Sequence, residues 1–96
     1  MLARLWARLR RRSGPRRVRG EEVVYGPYRI LPEPFEQDGR WITAGIIRRE
    51  TPEGVREHRF VRADNHAGPE EAVAFSVTKA RQIIDQLGDR LFDLPS

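Results

Sequence analysis

The stretch that decides the fold of this chain covers residues 41–63 and reads WITAGIIRRETPEGVREHRFVRA. Its two halves, Trp41–Glu50 and Val55–Ala63, have the length of strands and carry isoleucine, valine or aromatic residues, which favour strands. Between them, Thr51-Pro52-Glu53-Gly54 suits a four-residue turn, because proline stands second and glycine fourth. A tight turn fixes the register of the strands it joins, so the stretch predicts an antiparallel hairpin.

A further strand is predicted on the N-terminal side of this hairpin. Tyr28–Phe35 has strand character, but Pro32 and Pro34 have no N–H to donate, so we expect an edge strand. The segment Gln37-Asp38-Gly39-Arg40 is a hairpin signal of the Asp-Gly type and leads into Trp41. The three strands therefore form an antiparallel meander.

A helix is predicted on the C-terminal side of the meander. A loop at Asp64–Gly68 precedes Pro69, which suits a first helical position, and Glu70-Glu71 suits the first turn, where acids favour the helix dipole. Gly88 is suited to end the helix after Leu87. The predicted fold class is α+β, with a three-stranded antiparallel β-meander and one C-terminal helix packed on one face, in the order β-β-β-α.

The two faces of the predicted sheet differ in character. Pairing across the turn places Arg48 opposite Glu57, an opposite-charge pair that suits a solvent-facing surface. The helix is expected on the other face, where Gly45 would let it come close. That face carries Tyr28, Ile30, Trp41, Thr43, Gly45, Ile47 and Phe60, and the helix contributes Val73, Ser76, Val77, Ala80, Ile83, Ile84 and Leu87, with Leu91 just beyond.

The solvent-facing surface, called the second face below, is not cleanly polar. One helix cannot cover both faces, so a bulge changes the register, or the N-terminal arm or a second subunit covers this surface. Contact with a protein partner or a second copy of the chain through the second face is one of these alternatives. The second face carries Leu31, Phe35, Ile42, Ala44, Ile46 and Val61 beside Arg29, Glu33, Glu57 and Arg59.

The N-terminus is a strongly basic arm. Eight of the eighteen basic residues lie in the first nineteen positions, with no acid among them. The remainder holds ten basic and fourteen acidic residues, a formal charge of −4. We therefore divide the chain into an arm over residues 1–20 and a single α+β domain over residues 21–96. The basic residues of the arm are Arg4, Arg8, Arg10, Arg11, Arg12, Arg16, Arg17 and Arg19.

The arm also has an apolar stripe, formed at helical spacing by Leu2, Leu5, Trp6 and Leu9. Ser13-Gly14-Pro15 would end such a helix. Three interpretations stay open for the arm. It is a solvated, disordered tail, an interfacial helix on anionic lipid, or an arm that binds nucleic-acid phosphates.

Motifs of enzyme and metal chemistry are missing from the sequence. It has no glycine-rich phosphate loop, no GxSxG, no HExxH and no cysteine. His58, Asp64 and His66 have no evident fourth metal ligand. We therefore expect a non-enzymatic protein without catalytic residues, metal, cofactor or small-molecule substrate.

Two surface features need an interpretation. The arginines of the hairpin are interleaved with Glu50, Glu53 and Glu57, which favours a salt-bridged exposed hairpin over a binding groove. Phe75 lies off the buried stripe of the predicted helix, near Lys79. It either packs against the loop before the helix or the chain end, or belongs to a partner-contact surface, where aromatic residues are enriched.

Several tracts of the chain resemble the small bacterial family of HlyU-type transcriptional activators. They are EHRFVRAD at 57–64, AVAFS at 72–76 and QIIDQLGDRLF at 82–92, together with YRI at 28–30 and TAG at 43–45. The resemblance implies a cytoplasmic bacterial regulator of transcription, of the activator type, with no catalytic residues. DNA affinity is then expected from the arm, because no recognition helix is evident. The alternative is a membrane-peripheral adaptor or a protein-interaction module, anchored by the amphipathic arm.

Overall fold

The computed structural model describes residues 16–95 as an antiparallel sheet of five strands covered on one face by an α-helix. The predicted α+β class and the C-terminal helix are confirmed, but the predicted strand count of three is wrong. The elements are β1 (Val23–Tyr25), β2 (Tyr28–Pro32), β3 (Phe35–Gln37), β4 (Arg40–Thr51), β5 (Gly54–His66), α1 (Pro69–Leu87) and a C-terminal 3-10 helix (Gly88–Asp93).

The predicted strand Tyr28–Phe35 corresponds to β2 and β3, which are separated at Glu33 and Pro34. Both pieces pair with β4 in one continuous register. Between them, the backbone N–H of Glu33 donates to the carbonyl of Ala44 at 2.9 Å. The division is therefore not a change of direction in the chain, and the pairing with β4 continues through it. The additional strand, β1, pairs with the outer side of β2.

The expectation that this segment forms the edge of the sheet is wrong. Residues 16–20 run along its outer side, where the N–H groups of Val18 and Gly20 donate to the carbonyls of Pro34 and Pro32, each at 3.0 Å. The nitrogen atoms of both prolines therefore face away from β4. Their lack of an N–H group removes no hydrogen bond between this segment and β4. The arm boundary at residue 20 stays a prediction, although residues 16–20 pair with the sheet.

The β4–β5 hairpin has the predicted register, with Arg48 opposite Glu57 and Thr51 opposite Gly54. However, β5 continues to His66 instead of ending at Ala63. The pairing resumes beyond an irregularity between Ile42 and Ala44, and most of the predicted loop at 64–68 is therefore strand. The sequence signal was weak there because Asp64, Asn65 and His66 are poor strand formers.

The predicted ends of α1 are confirmed. The helix begins at Pro69, and Gly88 ends it with a φ of 54° and an N–H bonded to the carbonyl of Ile84. The predicted apolar stripe packs on the sheet, although Val73, Val77 and Leu87 are half-buried and Ala72, which lies outside the stripe, is fully buried. The core cluster contains Tyr28, Ile30, Ile47, Phe60, Ala80, Ile83, Ile84 and Leu91.

The helix meets the sheet through a serine. The Ser76 hydroxyl accepts the N–H of Ala44 at 3.2 Å and donates to the carbonyl of Ala72 at 2.6 Å. The prediction that Gly45 makes room for the helix is wrong, because the Phe60 ring fills the space above that glycine. A Cβ atom at Gly45 would lie 2.9 Å from Cζ of Phe60.

Candidate functional site

Most of the predicted arm lies outside the described residues. This applies to the arginines at the start of the arm and to its whole apolar stripe, so their predicted contacts with DNA or lipid stay predictions. The residues concerned are Arg4, Arg8, Arg10, Arg11, Arg12, Leu2, Leu5, Trp6 and Leu9. The structure describes the end of the arm, which carries Arg16, Arg17 and Arg19.

The described arginines of the arm contact acids of the sheet. Arg17 and Arg19 approach the two carboxylate oxygens of Glu33 at 3.8 and 3.3 Å, and Arg16 approaches Glu36 at 3.7 Å. Glu33 is 7% exposed, so its charge needs such partners. The arginine side chains themselves remain largely exposed, which limits the energy of each pair to about 1 kcal/mol or less.

Aromatic rings hold the same segment on both faces of the sheet. The guanidinium of Arg16 lies 5.9 Å from the ring centre of Trp41, and that of Arg17 lies 5.7 Å from Phe35. These distances suit cation–π attraction. Together with the backbone hydrogen bonds, they anchor residues 16–20 to the sheet. The sequence argument missed this role of Glu33 and Glu36, because their partners lie on a separate segment of the chain.

The second face is not covered by α1. It contains a shallow groove of about 190 Å³, which is bordered by charged and apolar side chains. The exposed fraction is 49% for Val61 and 58% for Val55, which lies farther along the same strand. The predicted partner contact through this face stays a prediction. The groove is lined by Arg17, Glu33, Phe35, Ala44, Gly45, Ile46, Arg59 and Val61.

Three of the six arginines of β4 and β5 make ion pairs, and one of these pairs lies within the hairpin, so the salt-bridged hairpin is present only in part. Arg48 bonds Glu57 across the hairpin, Arg49 bonds Asp89, and Arg56 approaches Asp93 at 3.4 Å. Five arginines make no ion pair within residues 16–95, namely Arg40, Arg59, Arg62, Arg81 and Arg90. They lie on four different elements, β4, β5, α1 and the 3-10 helix.

One polar cluster joins β2 and β4 to the C-terminal 3-10 helix. The hydroxyl of Tyr28 donates to Asp89 at 2.7 Å, and Arg49 contacts the same carboxylate at 2.6 Å. These bonds lower the pKa of Asp89, whereas burial and the adjacent Asp89 raise the pKa of Tyr28. The cluster fastens the chain end to the sheet, so we assign it a structural role. Sequence reasoning missed it, because its members are far apart in the chain.

The two histidines and Asp64 do not converge on one point. His58 is buried in β5, where burial and the nearby Arg62 lower its pKa. Asp64 pairs with Lys79 at 3.6 Å. Within residues 16–95, no three His, Cys, Asp or Glu side chains form a group that could hold a metal ion. Neither helix of the described residues combines the length and apolar character that crossing a bilayer requires.

Phe75 lies in the second turn of α1, where its half-buried ring contacts the end of β5. Its ring centre lies 4.9 Å from that of His66, and Nζ of Lys79 lies 5.4 Å from the ring. His66 also lies 3.4 Å from the Thr43 hydroxyl. These contacts suit the local packing role considered for Phe75. Its predicted role in partner contact stays a prediction.

The comparisons with known proteins place the chain in one family. The family model described as transcriptional activator HlyU matches residues 2–92, which includes nearly the whole arm. Searches of curated proteins and of solved structures give no match. The resemblance found in the sequence is thereby confirmed, as is the bacterial regulator of transcription that it implies. The chain belongs to the HlyU transcriptional activator family.

Proposed function

We propose that this protein is a non-enzymatic, cytoplasmic regulator that activates transcription and binds the DNA backbone through its basic arm. The observation that carries the proposal is the charge distribution. Five arginines at positions 4, 8, 10, 11 and 12 precede the anchored segment, and the first acid of the chain is Glu21. Arginines without competing acids bind phosphates and release their counterions.

The folded part of the chain supports this division of labour by its own charge. Residues 20–96 carry a formal charge of −4. Glu70 and Glu71 are exposed in the first turn of α1, so the positive end of the helix dipole faces acids and not phosphate. Within residues 16–95 there is one α-helix, whereas a helix-turn-helix reader needs at least two. Backbone contact by the arm fits this surface better than base reading by the body.

Such an arm supplies affinity but no base sequence preference, because phosphate contacts carry no sequence information. A protein partner is then the natural source of promoter choice. The proposal therefore assigns the arm to DNA and the body to protein contacts. The proposal also explains how a domain of a transcriptional activator family can act without a helix-turn-helix among residues 16–95.

The test compares the full chain with a chain lacking residues 1–15, which keeps the segment that pairs with the sheet. We expect the full chain to bind unrelated duplexes with similar affinity. If all five arginines contact phosphates, log K should fall against log salt with a slope of about −4 to −5. The shortened chain should keep its circular dichroism spectrum and lose this binding. Tight binding by the shortened chain would assign DNA contact to the body and overturn the proposal.

Two matched variants separate phosphate binding from lipid binding. The first replaces the five arginines with glutamine, and the second replaces Leu5, Trp6 and Leu9 with serine. A phosphate-binding arm loses DNA affinity in the first variant and keeps it in the second. If the serine variant instead loses binding to anionic vesicles while neither variant changes DNA binding, the membrane-peripheral alternative replaces the proposal.

A further inference from the structure

The outer edge of β5 is the longest unpaired backbone in the described part of the chain. β5 runs from Gly54 to His66, and among residues 16–95 it pairs only with β4. Proteins blunt such edges with proline, bulges, short strands or charged side chains, because an open edge pairs with other chains. The segment 55–61 contains no proline, and its pairing with β4 is regular. Its charged residues, Arg56, Glu57 and Arg59, are of both signs, so a partner strand of suitable charge can match them. The irregularity of β5 lies beyond Val61.

The alternation of the ladder shows which residues point outward. The N–H of Glu33 donates to the carbonyl of Ala44, so the even residues of this part of β4 bond toward β2 and the odd ones toward β5. With Gly45 opposite Phe60, the odd residues of β5 therefore turn their N–H and C=O groups away from β4. The carbonyl of Val61 accepts the guanidinium of its neighbour Arg62 at 3.2 Å, which agrees with this direction.

We propose that β5 pairs antiparallel with β5 of a second copy, about a two-fold axis at His58, so that two sheets form one. This register places Glu57 opposite Arg59 of the second copy, and the symmetry repeats that pair. It also places Val55 opposite Val61, the two exposed valines of the strand. The residues at positions 55, 57, 59 and 61 would exchange about eight backbone hydrogen bonds, two in each hydrogen-bonded pair.

Charge selects this register over its neighbours. Moving the axis by one residue places either Glu57 or Arg59 opposite its own copy, and like charges in directly opposite positions destabilise a strand pair. Arg59 makes no ion pair among the described residues and so has its charge available for a partner. The occupant of the edge is therefore a second copy of this strand. The dimer goes beyond the proposed function. It would place two basic arms on one molecule, so that both could bind the same DNA duplex.

The test uses charge reversal across the axis in the full-length chain. Parent protein should sediment as a dimer with a measurable dissociation constant. Glu57→Arg places arginine opposite arginine, and Arg59→Glu places glutamate opposite glutamate, so each variant should weaken the dimer about ten-fold or more. A mixture of the two variants restores both opposite-charge pairs, and it should form heterodimers with nearly parental affinity.

Two control variants make the same charge reversals at positions that do not lie on the outer edge of β5. Glu50→Arg lies on β4 on the same face of the sheet, and Arg40→Glu lies at the start of β4. Both should leave the dissociation constant within about three-fold of the parent. Circular dichroism must show that Glu57→Arg folds, because Glu57 also pairs with Arg48 within one chain.

A cross-link provides a measurement that does not depend on charge. The chain has no cysteine, so a single introduced thiol can form a disulfide only with another copy. His58→Cys lies on the proposed axis, where opposite Cα atoms in a non-hydrogen-bonded pair are about 4.5 Å apart, within reach of a disulfide. It should cross-link much faster than Arg59→Cys. A monomeric parent, equal effects of edge and control variants, or failure of the mixture to form heterodimers would overturn the proposal.

Discussion

Replacement of Gly45 by alanine tests the close packing of sheet and core. A Cβ atom there would lie 2.7 Å from the carbonyl oxygen of Leu31 and 2.9 Å from Cζ of Phe60, where ordinary contacts begin near 3.4 Å. The carbonyl belongs to a paired strand, and the Phe60 side chain is 1% exposed, so neither moves easily. Overpacking of this kind costs about 1–3 kcal/mol.

A smaller effect opposes this cost. Alanine loses less backbone entropy than glycine on folding, which stabilises by about 0.4–1 kcal/mol. We therefore expect Gly45→Ala to lower the free energy of unfolding by about 1–2 kcal/mol. For a domain of this size, that corresponds to a fall in Tm of about 5–15 °C. Urea and thermal unfolding followed by circular dichroism would measure both quantities.

A control and a second background make the test specific. Gly68→Ala introduces the same methyl group where its nearest neighbour among the described atoms is 3.7 Å away, so its effect should stay within about 0.5–1 kcal/mol. In a Phe60→Leu background the crowding ring is gone, and Gly45→Ala should cost about 1 kcal/mol less. An equal cost in both backgrounds, or a normal Tm for Gly45→Ala, would refute the packing argument.

Three further predictions concern other parts of the chain. Gly20→Ala should lower the free energy of unfolding in urea by about 1–2 kcal/mol, because its Cβ would lie 2.6 Å from Val73 and 2.9 Å from Pro32. An unchanged midpoint of urea unfolding would show that residues 16–20 leave the sheet. Burial lowers the pKa of His58 below its usual 6.5, so on acidification the unfolded chain binds a proton that the folded chain does not. The free energy of unfolding therefore falls as the pH drops below about 6.5. His58→Gln should flatten the dependence of this free energy on pH between about pH 5 and 7, and a persisting slope would implicate another group. Phe75→Ser should lower Tm without changing the molecular mass in solution, whereas an unchanged Tm with weaker partner capture would assign Phe75 to a contact surface.

Local chemistry explains why the hairpin and the helix were predictable. The turn Thr51-Pro52-Glu53-Gly54, the proline that starts α1 and the glycine that ends it all act on the backbone within a few residues. The register of β4 and β5 followed from the turn, and the predicted pairing of Arg48 with Glu57 is present. Most of the buried positions of α1 followed from helical periodicity.

Contacts between distant segments explain the predictions that were wrong. The two prolines lowered the local strand signal, but the outer side of that strand is paired by residues 16–20. Phe60, fifteen positions later in the sequence, occupies the space above Gly45 that was predicted to admit the helix. The arm gives a similar example. Its basic and apolar residues are evident in the sequence, but the sequence does not show that Glu33 and Glu36 contact its arginines at positions 16, 17 and 19.

The sequence by itself determined the class of the fold, the hairpin register, the ends of the helix and the separation of charge between arm and body. Each of these depends on the order of neighbouring residues or on simple composition. Only the tertiary structure decided that residues 16–20 belong to the sheet, that Glu33 is paired with Arg17 and Arg19, and that the outer edge of β5 is unpaired within residues 16–95. These features arise when segments distant in the chain compete for the same hydrogen bonds and buried space, and no local pattern records the outcome.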